Sequence, residues 1–385
     1  MAKTSPALDT LLGNHLERLS TYEPQDLPVV SLYLNLTPDQ HGRERHDVFL
    51  RKAFAERLKV FDAHSAEHAS LERDTERITE YLASQVDPSR NAVAIFACSG
   101  AGEFFEAIQL DVPIEDHWLF IAAVPHIYPL VRLVDQFPRY ASVLVDTHRA
   151  RILVFGLGAV ERRAEVVGVK TRRTSMGGWS QARYQRRADH MHQQHLKEVA
   201  DALETIVRRD NVQHVIVAGD DVVVALLRDE MPKFLTDRLL DVLKLDRTAG
   251  DDAIIEATLD VLRAKDAETD AERVRDVVDA WQSGGLGVVG PEATLRALEL
   301  GQVDELLIAG DPQAIKPVQT LPQDAAPEPL AVETSSSRES APRQIQLSDE
   351  LVTRAQQTAA PVRIIENRDL LKPYGGVAAS LRFRI

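Results

Sequence analysis

The sequence predicts three α/β domains in series. At 385 residues, and roughly 100–200 residues per domain, the chain has room for two or three. Short strand-like apolar runs alternate with stretches whose apolar positions recur every three or four residues, the mark of helices packed on sheets. Hydrophobic residues make up 44% and charged residues 27%, a globular composition with enough apolar material for several cores. The boundaries fall at residues 1–138, 139–272 and 273–385, with residues 311–345 read as a disordered insertion in the last domain.

In the first domain, residues 29–36 alternate like a strand, a helical stretch covers 47–81 with a break near Ser65, and strands recur at 92–98, 104–110 and 117–121. Cys98 is the sole cysteine and ends an apolar run, Val93-Ala94-Ile95-Phe96-Ala97, so it reads as core packing in a reducing compartment. Arg43, Arg45, Arg51 and Lys52 read as a solvated face.

The middle domain opens with two apolar strands, 141–146 and 151–155, joined by a short polar turn, a hairpin signal. Basic loop sequence follows, then a long polar helix over 180–208 and a buried strand at 212–219. A charged helix over 251–282 bridges into the third domain, where a strand at 286–289, a helix at 291–300 with Pro291 in its first turn and a strand at 303–309 precede the insertion. Prolines at 312, 317, 322, 327, 329 and 342 mark that insertion. A helix near 347–359 and strands at 362–365 and 377–385 close the chain.

Several function classes are excluded or disfavoured. No apolar run approaches the roughly 18 residues that span a bilayer, and no signal peptide opens the chain, so a cytoplasmic protein without membrane contact is expected. A net charge of −14 argues against a surface that coats nucleic acid throughout. Neither a Gly-x-Ser-x-Gly elbow nor a phosphate-cradling Gly-Lys-Ser/Thr loop is present. Gly285-x-Gly287-x-x-Gly290 has the spacing of a dinucleotide fingerprint, but it follows helical sequence and encloses its own strand. His190, His192 and His195 share no helix face well and read as solvent- or RNA-facing. Asp220 and Asp221 end a strand, where loop polarity explains them. No cofactor and no metal are expected.

One stretch departs from the rest. Between Arg151 and Arg187, nine basic residues (Arg151, Arg162, Arg163, Lys170, Arg172, Arg173, Arg183, Arg186, Arg187) face two acids, Glu161 and Glu165, a local balance of +7. Arginine suits phosphate through its planar donors, and the Gly177-Gly178 tip lets backbone approach a ligand closely. Ser180 stands where a helix N-cap belongs, and Arg183 with Arg186 or Arg187 falls on one helical face. RNA is the natural partner, and the local basic site is insulated from distant acids by screening over about 8–10 Å.

The segment Gly177-Gly178-Trp179-Ser180-Gln181-Ala182-Arg183-Tyr184-Gln185-Arg186 resembles the central-domain motif of the archaeal and eukaryotic class-one release factors, to whose wider group the Pelota proteins belong. In that motif Gly-Gly-Gln is followed by Ser, two small or apolar residues, Arg, an aromatic and Arg. The third domain is similar to that family's last domain through Gly285-Leu286-Gly287-Val288-Val289-Gly290-Pro291-Glu292, then residues 295–301 and 303–308. The resemblance implies a ribonuclease-H-like middle domain and a last domain with the kink-turn-binding ribosomal-protein fold. It implies a factor that binds the ribosomal A site, touching rRNA and peptidyl-tRNA, and meets an elongation-factor-type GTPase through its last domain. The RNA-binding residues would be Arg172, Arg173, Gly177, Gly178, Trp179, Ser180, Arg183, Arg186 and Arg187. In the family the glutamine after the glycines places water on the peptidyl ester, and its backbone N–H helps hold the oxyanion. Here Trp179 occupies that position and Gln181, two residues on, is the candidate catalytic residue. No Asn-Ile-Lys-Ser codon-reading motif is found in the first domain. Two roles follow from the likeness: a rescue hydrolase, or a non-catalytic occupant of idle ribosomes like the Balon-type hibernation factors. An interaction protein unrelated to ribosomes is the third reading.

Overall fold

The computed structural model describes residues 8–38, 46–100, 102–157, 159–168, 180–245, 249–318, 330–334 and 342–384. It is a mixed α/β chain with three sheets. These group into two compact units, one of Met1–Asp9 with Phe137–Asp266, the other of Thr10–Gln136 with Ala267–Ile385.

The first domain is an antiparallel sheet. Helix α1 (Leu8–Ser20) precedes β1 (Val29–Asn35), then come α2 (His46–Leu58), α3 (Ala66–Ser84), β2 (Ala92–Cys98), β3 (Phe104–Leu110), β4 (Trp118–Ala122) and α4 (Tyr128–Gln136). The break expected near Ser65 is a helix start: its side chain accepts from the His68 N–H, capping α3. β1 is central, paired antiparallel with β2 and β4, and β2 carries β3 at its other side. Leu50, Ala53 and Phe54 of α2 and Leu71 and Ile78 of α3 pack on Val30, Leu32, Ile95 and Leu119 of the sheet. Cys98 is fully buried at the end of β2.

The central unit is built on β5 (Tyr140–Val145) and β6 (Arg149–Gly156), the expected hairpin, followed by β7 (Ala159–Val167), α5 (Ser180–Arg209), β8 (His214–Gly219), α6 (Asp221–Glu230), α7 (Lys233–Thr236), β9 (Leu239–Leu243) and α8 (Asp251–Gln282). The sheet order is β7-β6-β5-β8-β9. β5 joins an antiparallel half, β6 and β7, to a parallel half, β8 and β9. Leu196, Val199, Leu203 and Val207 of α5 and Val223, Val224 and Leu227 of α6 bury one face. On the other, Ile254 and Leu262 of α8 meet Tyr140, Leu153 and Phe155, and the Tyr140 hydroxyl bonds that of Thr258 at 2.8 Å.

In the third domain, β10 (Gly287–Val289), α9 (Pro291–Glu299) and β11 (Val303–Ala309) lead to β12 (Ala331–Thr334), and α10 (Pro342–Gln357), β13 (Val362–Ile365), α11 (Arg368–Leu371) and β14 (Val377–Leu381) follow. The sheet runs β10-β14-β11-β13. The glycine spacing at 285–290 now has a packing account. A Cβ on Gly287 would come within 2.4 Å of the Val277 carbonyl oxygen, so only glycine lets β10 lie this close to α8. Gly290 has φ +88 and turns the chain into α9, whose first residue is Pro291.

The stretch read as a disordered insertion is corrected in part. Pro312–Ala314 form a 3₁₀ turn, and β12 pairs antiparallel with β4 at the edge of the first domain's sheet. α10 begins at Pro342, five residues before the expected start. The physical reason is tertiary: β12 finds an open sheet edge that local composition does not reveal. Residues 319–329 and 335–341 lie outside the described residues.

That strand is one of several ties joining first and third domains into one unit. The Asp349 carboxylate of α10 takes the His126 ring and the Tyr128 backbone N–H, the latter at 3.1 Å. The Tyr33 hydroxyl donates to the His126 carbonyl, and that of Tyr128 to the Ala309 carbonyl. Tyr33, His126, Tyr128 and Asp349 are all buried. Among the described residues, no helix is long and apolar enough to cross a membrane.

Breaking a buried pair by removing one member costs about 3 kcal/mol or more, because its partner is stranded without water. Asp349→Ala is therefore expected to lower the stability of this unit by about that amount in urea unfolding. A loss under about 1 kcal/mol would show that the two domains are held by β12 and apolar packing instead.

Candidate nucleic-acid interface

The central unit frames the candidate loop at one end of its sheet. There Asp146 closes the β5–β6 turn by accepting the N–H groups of His148 at 2.6 Å and Arg149 at 2.7 Å. β7 returns beside β6, and Gly168 donates its N–H to the His148 carbonyl at 2.8 Å. The chain passes beyond the described residues at 169 and re-enters them as α5. Lys170, Arg172, Arg173, Gly177, Gly178 and Trp179 lie outside the described residues, so the loop is bracketed by Gly168 and Ser180 and not itself described.

Ser180 is the first residue of α5, one position later than the N-cap expected from the sequence. Gln181, Arg183, Arg186 and Arg187 are all within this helix, their side chains outside the described set. At about 100° per residue, positions 183, 186 and 187 share a sector of roughly 100°, and position 181 falls roughly 120–160° away from them. The glutamine is thus placed in the first helical turn, not in the loop. Among the described residues, the helix joins the core from His195 and Leu196 onward. Fifteen residues separate Ser180 from His195, roughly 22 Å along the axis.

The +7 balance of the sequence is reduced in the fold. β7, which the sequence reading took for loop, sets Arg162 against Asp210 at 2.7 Å and Arg163 against Asp251 at 2.8 Å. Arg151 reaches the same Asp251 at 2.7 Å and the Ala249 carbonyl at 3.0 Å. Glu161 binds Arg139, which packs at the opposite end of the sheet. Three of the nine cations therefore serve the frame. Lys170, Arg172, Arg173, Arg183, Arg186 and Arg187 are the six left to the loop and the start of α5.

The histidine expectation changes most. His195 does not face solvent or RNA: it is 2% exposed, and its ring fills the space over Gly168, where a Cβ would meet it at 2.8 Å. His148 and His192 stand edge to face, 5.1 Å between ring centres. These residues form the root of the loop, joining the β5–β6 turn, the end of β7 and α5. The sequence carried the histidines but not their burial, which depends on β7 being a strand. Asp220, read as loop polarity, caps α6 by accepting from the Val222 N–H, and Asp221 pairs with Lys244.

Burial pushes the His195 imidazole below the ordinary histidine value, outweighing the raising pull of the Arg149 backbone, Glu198 and Asp146, while His148 lowers it further. The unfolded chain therefore takes up a proton at higher pH than the folded one, and stability falls as pH drops below about 6.5. The thermal midpoint of the central unit is expected to decline from pH 7 to pH 5, with a smaller decline in His195→Phe. An unchanged slope in the variant would assign the pH dependence to other groups.

Residues 125–263 match the family model described as bacterial archaeo-eukaryotic release factor family 10. A peptide chain release factor subunit 1 of Methanobrevibacter smithii is 20% identical, the alignment covering 100% of this chain and 97% of the relative. Among solved structures, an archaeal translation termination factor, aRF1, is 18% identical, with 97% and 98% of the two chains covered and a TM-score of 0.28. Archaeoglobus fulgidus Pelota is 15% identical, with 76% and 80% covered and a TM-score of 0.35. A ribosome-bound archaeal Pelota, solved with ABCE1, is 15% identical, with 99% and 96% covered and a TM-score of 0.44. Over residues 125–263 the chain is similar to the bacterial archaeo-eukaryotic release factor family 10, and along its whole length, at 20% identity, to an archaeal peptide chain release factor subunit 1.

Proposed function

We propose that this protein is a translation factor that binds the ribosomal A site and carries its basic Gly-Gly loop toward the peptidyl transferase centre. The observation that supports this most is that the family match over residues 125–263 encloses the hairpin, the loop and the arginine-bearing start of α5. Arg172, Arg173, Arg183, Arg186 and Arg187 are assigned to rRNA and tRNA phosphates. Gly177 and Gly178 give the backbone close access, and Trp179 stacks on an exposed base. Ser180 starts the helix behind the tip. The third domain is assigned to an elongation-factor-type GTPase.

Two outcomes at the ester are distinguished by the residue after the glycines. Trp179 has no amide side chain with which to place a water as the family's glutamine does, and position 181 falls in the first turn of α5. These favour occupation of the A site without hydrolysis, as in a hibernation factor. The second reading, a rescue hydrolase, requires Gln181 to reach the ester from that turn.

Ribosomes carrying labelled peptidyl-tRNA and an empty A site test both. Wild type is expected to co-sediment with them, and reversal of the five arginines to Glu to reduce binding at least about tenfold, given the phosphate contribution to affinity. No peptide release is expected. Release that Gln181→Ala abolishes, with binding intact, would establish the hydrolase instead. Failure of wild type to bind would overturn the ribosomal assignment.

A further inference from the structure

At the end of the central sheet where β5 and β8 begin, opposite the basic loop, one aromatic ring carries two cations. Phe234 of α7 packs, partly buried, on the core of this unit. The guanidinium carbon of Arg208, near the end of α5, lies 3.8 Å from the centre of that ring, and the guanidinium carbon of Arg238 lies 3.9 Å from it. Two guanidinium groups this close to one ring centre occupy opposite faces. Their charges therefore stand within about 8 Å of each other, about one Debye length at physiological salt.

The two cations are held differently. Glu204 engages Nε and Nη2 of Arg208 at 2.9 and 2.6 Å and leaves Nη1, on a side chain 56% exposed. Arg238 donates Nη1 to the Phe234 carbonyl at 3.1 Å, and its Nε is buried with no hydrogen-bond partner among the described residues. Among the described residues, neither Arg238 nor the exposed Lys233 forms an ion pair with an acid, the adjacent Asp237 included. Arg209, alongside, is taken by Asp210, which also holds Arg162.

We propose that Arg208, Arg238 and Lys233 form a second RNA contact of the central unit, binding neighbouring phosphates of one strand around the edge of Phe234. A partly buried cation without an acid lacks a counter-charge. The ring supplies part of it, and phosphate oxygens supply the rest through charge-assisted hydrogen bonds. The stack also fixes both planar forks in advance, so little side-chain freedom is lost on binding. Two fixed cations on opposite faces of a ring suit successive phosphodiesters better than one compact anion. Both faces of the ring are occupied, so no base stacks there and the contact carries no sequence information. From Ser180 to Arg208 the helix α5 advances 28 residues, roughly 42 Å. One helix thus has a basic feature at each end, and the second does not depend on where the loop goes.

The test uses the full-length chain with Arg172, Arg173, Arg183, Arg186 and Arg187 changed to Gln, which silences the loop. Binding of a labelled oligouridine at low salt is followed by fluorescence anisotropy, with the thermal midpoint measured alongside. Binding is expected to persist in this background. Arg208→Gln and Arg238→Gln are each expected to weaken it about fivefold and to flatten the dependence of log K on log salt by about 0.7. Absence of binding in the background would overturn the proposal. So would an affinity unmoved by both substitutions while the midpoint falls, which would assign the stack to packing alone. Inorganic phosphate that displaces the RNA at an equal phosphate concentration would overturn the strand and leave a single-anion site. If Arg238→Gln does not fold, the exposed Arg208→Gln decides by the same readout. No ribosome is present, so this result is separate from that of the A-site assignment.

Discussion

A carboxylate of the third domain, Asp349, is bound inside the first. It accepts the His126 ring and the Tyr128 N–H in a buried network that also uses Tyr33. With β12 and the other ties between them, this contact makes one body from two parts of the chain that are far apart in sequence. Once residues 10–136 and 267–385 are one unit, the central segment becomes an insertion with two covalent attachments. A carboxyl group buried this deeply is tolerated only when its partners are in place.

Within the central unit, charge is divided by position. Arg151, Arg162 and Arg163 neutralise Asp251 and Asp210 and hold β7 and α8 in place. The other six cations of this stretch fall, in sequence, between residues 170 and 187. A chain of net charge −14 can in this way present a basic feature to a polyanion while its remaining surface repels nonspecific contacts. The α5 helix, anchored by Leu196, Val199 and Leu203, gives that feature a rigid base.

Much of this was legible in the sequence. β2 and β3 fall at the expected residues, and so does the 32-residue α8, because uninterrupted apolar runs and long three-and-four spacing are local signals. The hairpin of β5 and β6 was legible for the same reason. β7 was not: it is an edge strand whose exposed positions, Arg163, Glu165 and Val167, include two charges, and in sequence it passes for loop. β9 and α6 were missed beside β8, and β12 sits in proline-rich sequence and exists only through its pairing with β4. The candidate site divides the same way. Residue types and spacing point to the Gly-Gly segment and its arginines, whose side chains lie outside the described residues, whereas the burial of His195 is a product of tertiary packing.

The claim at the centre of this account is where the loop goes. Replacing Trp179 with a photoreactive benzophenone amino acid and irradiating the protein on ribosomes with an empty A site tests it most directly. The account predicts crosslinks to large-subunit rRNA of the peptidyl transferase centre, lost when the five arginines are reversed. Crosslinks confined to other rRNA or to ribosomal proteins, with binding intact, would contradict it.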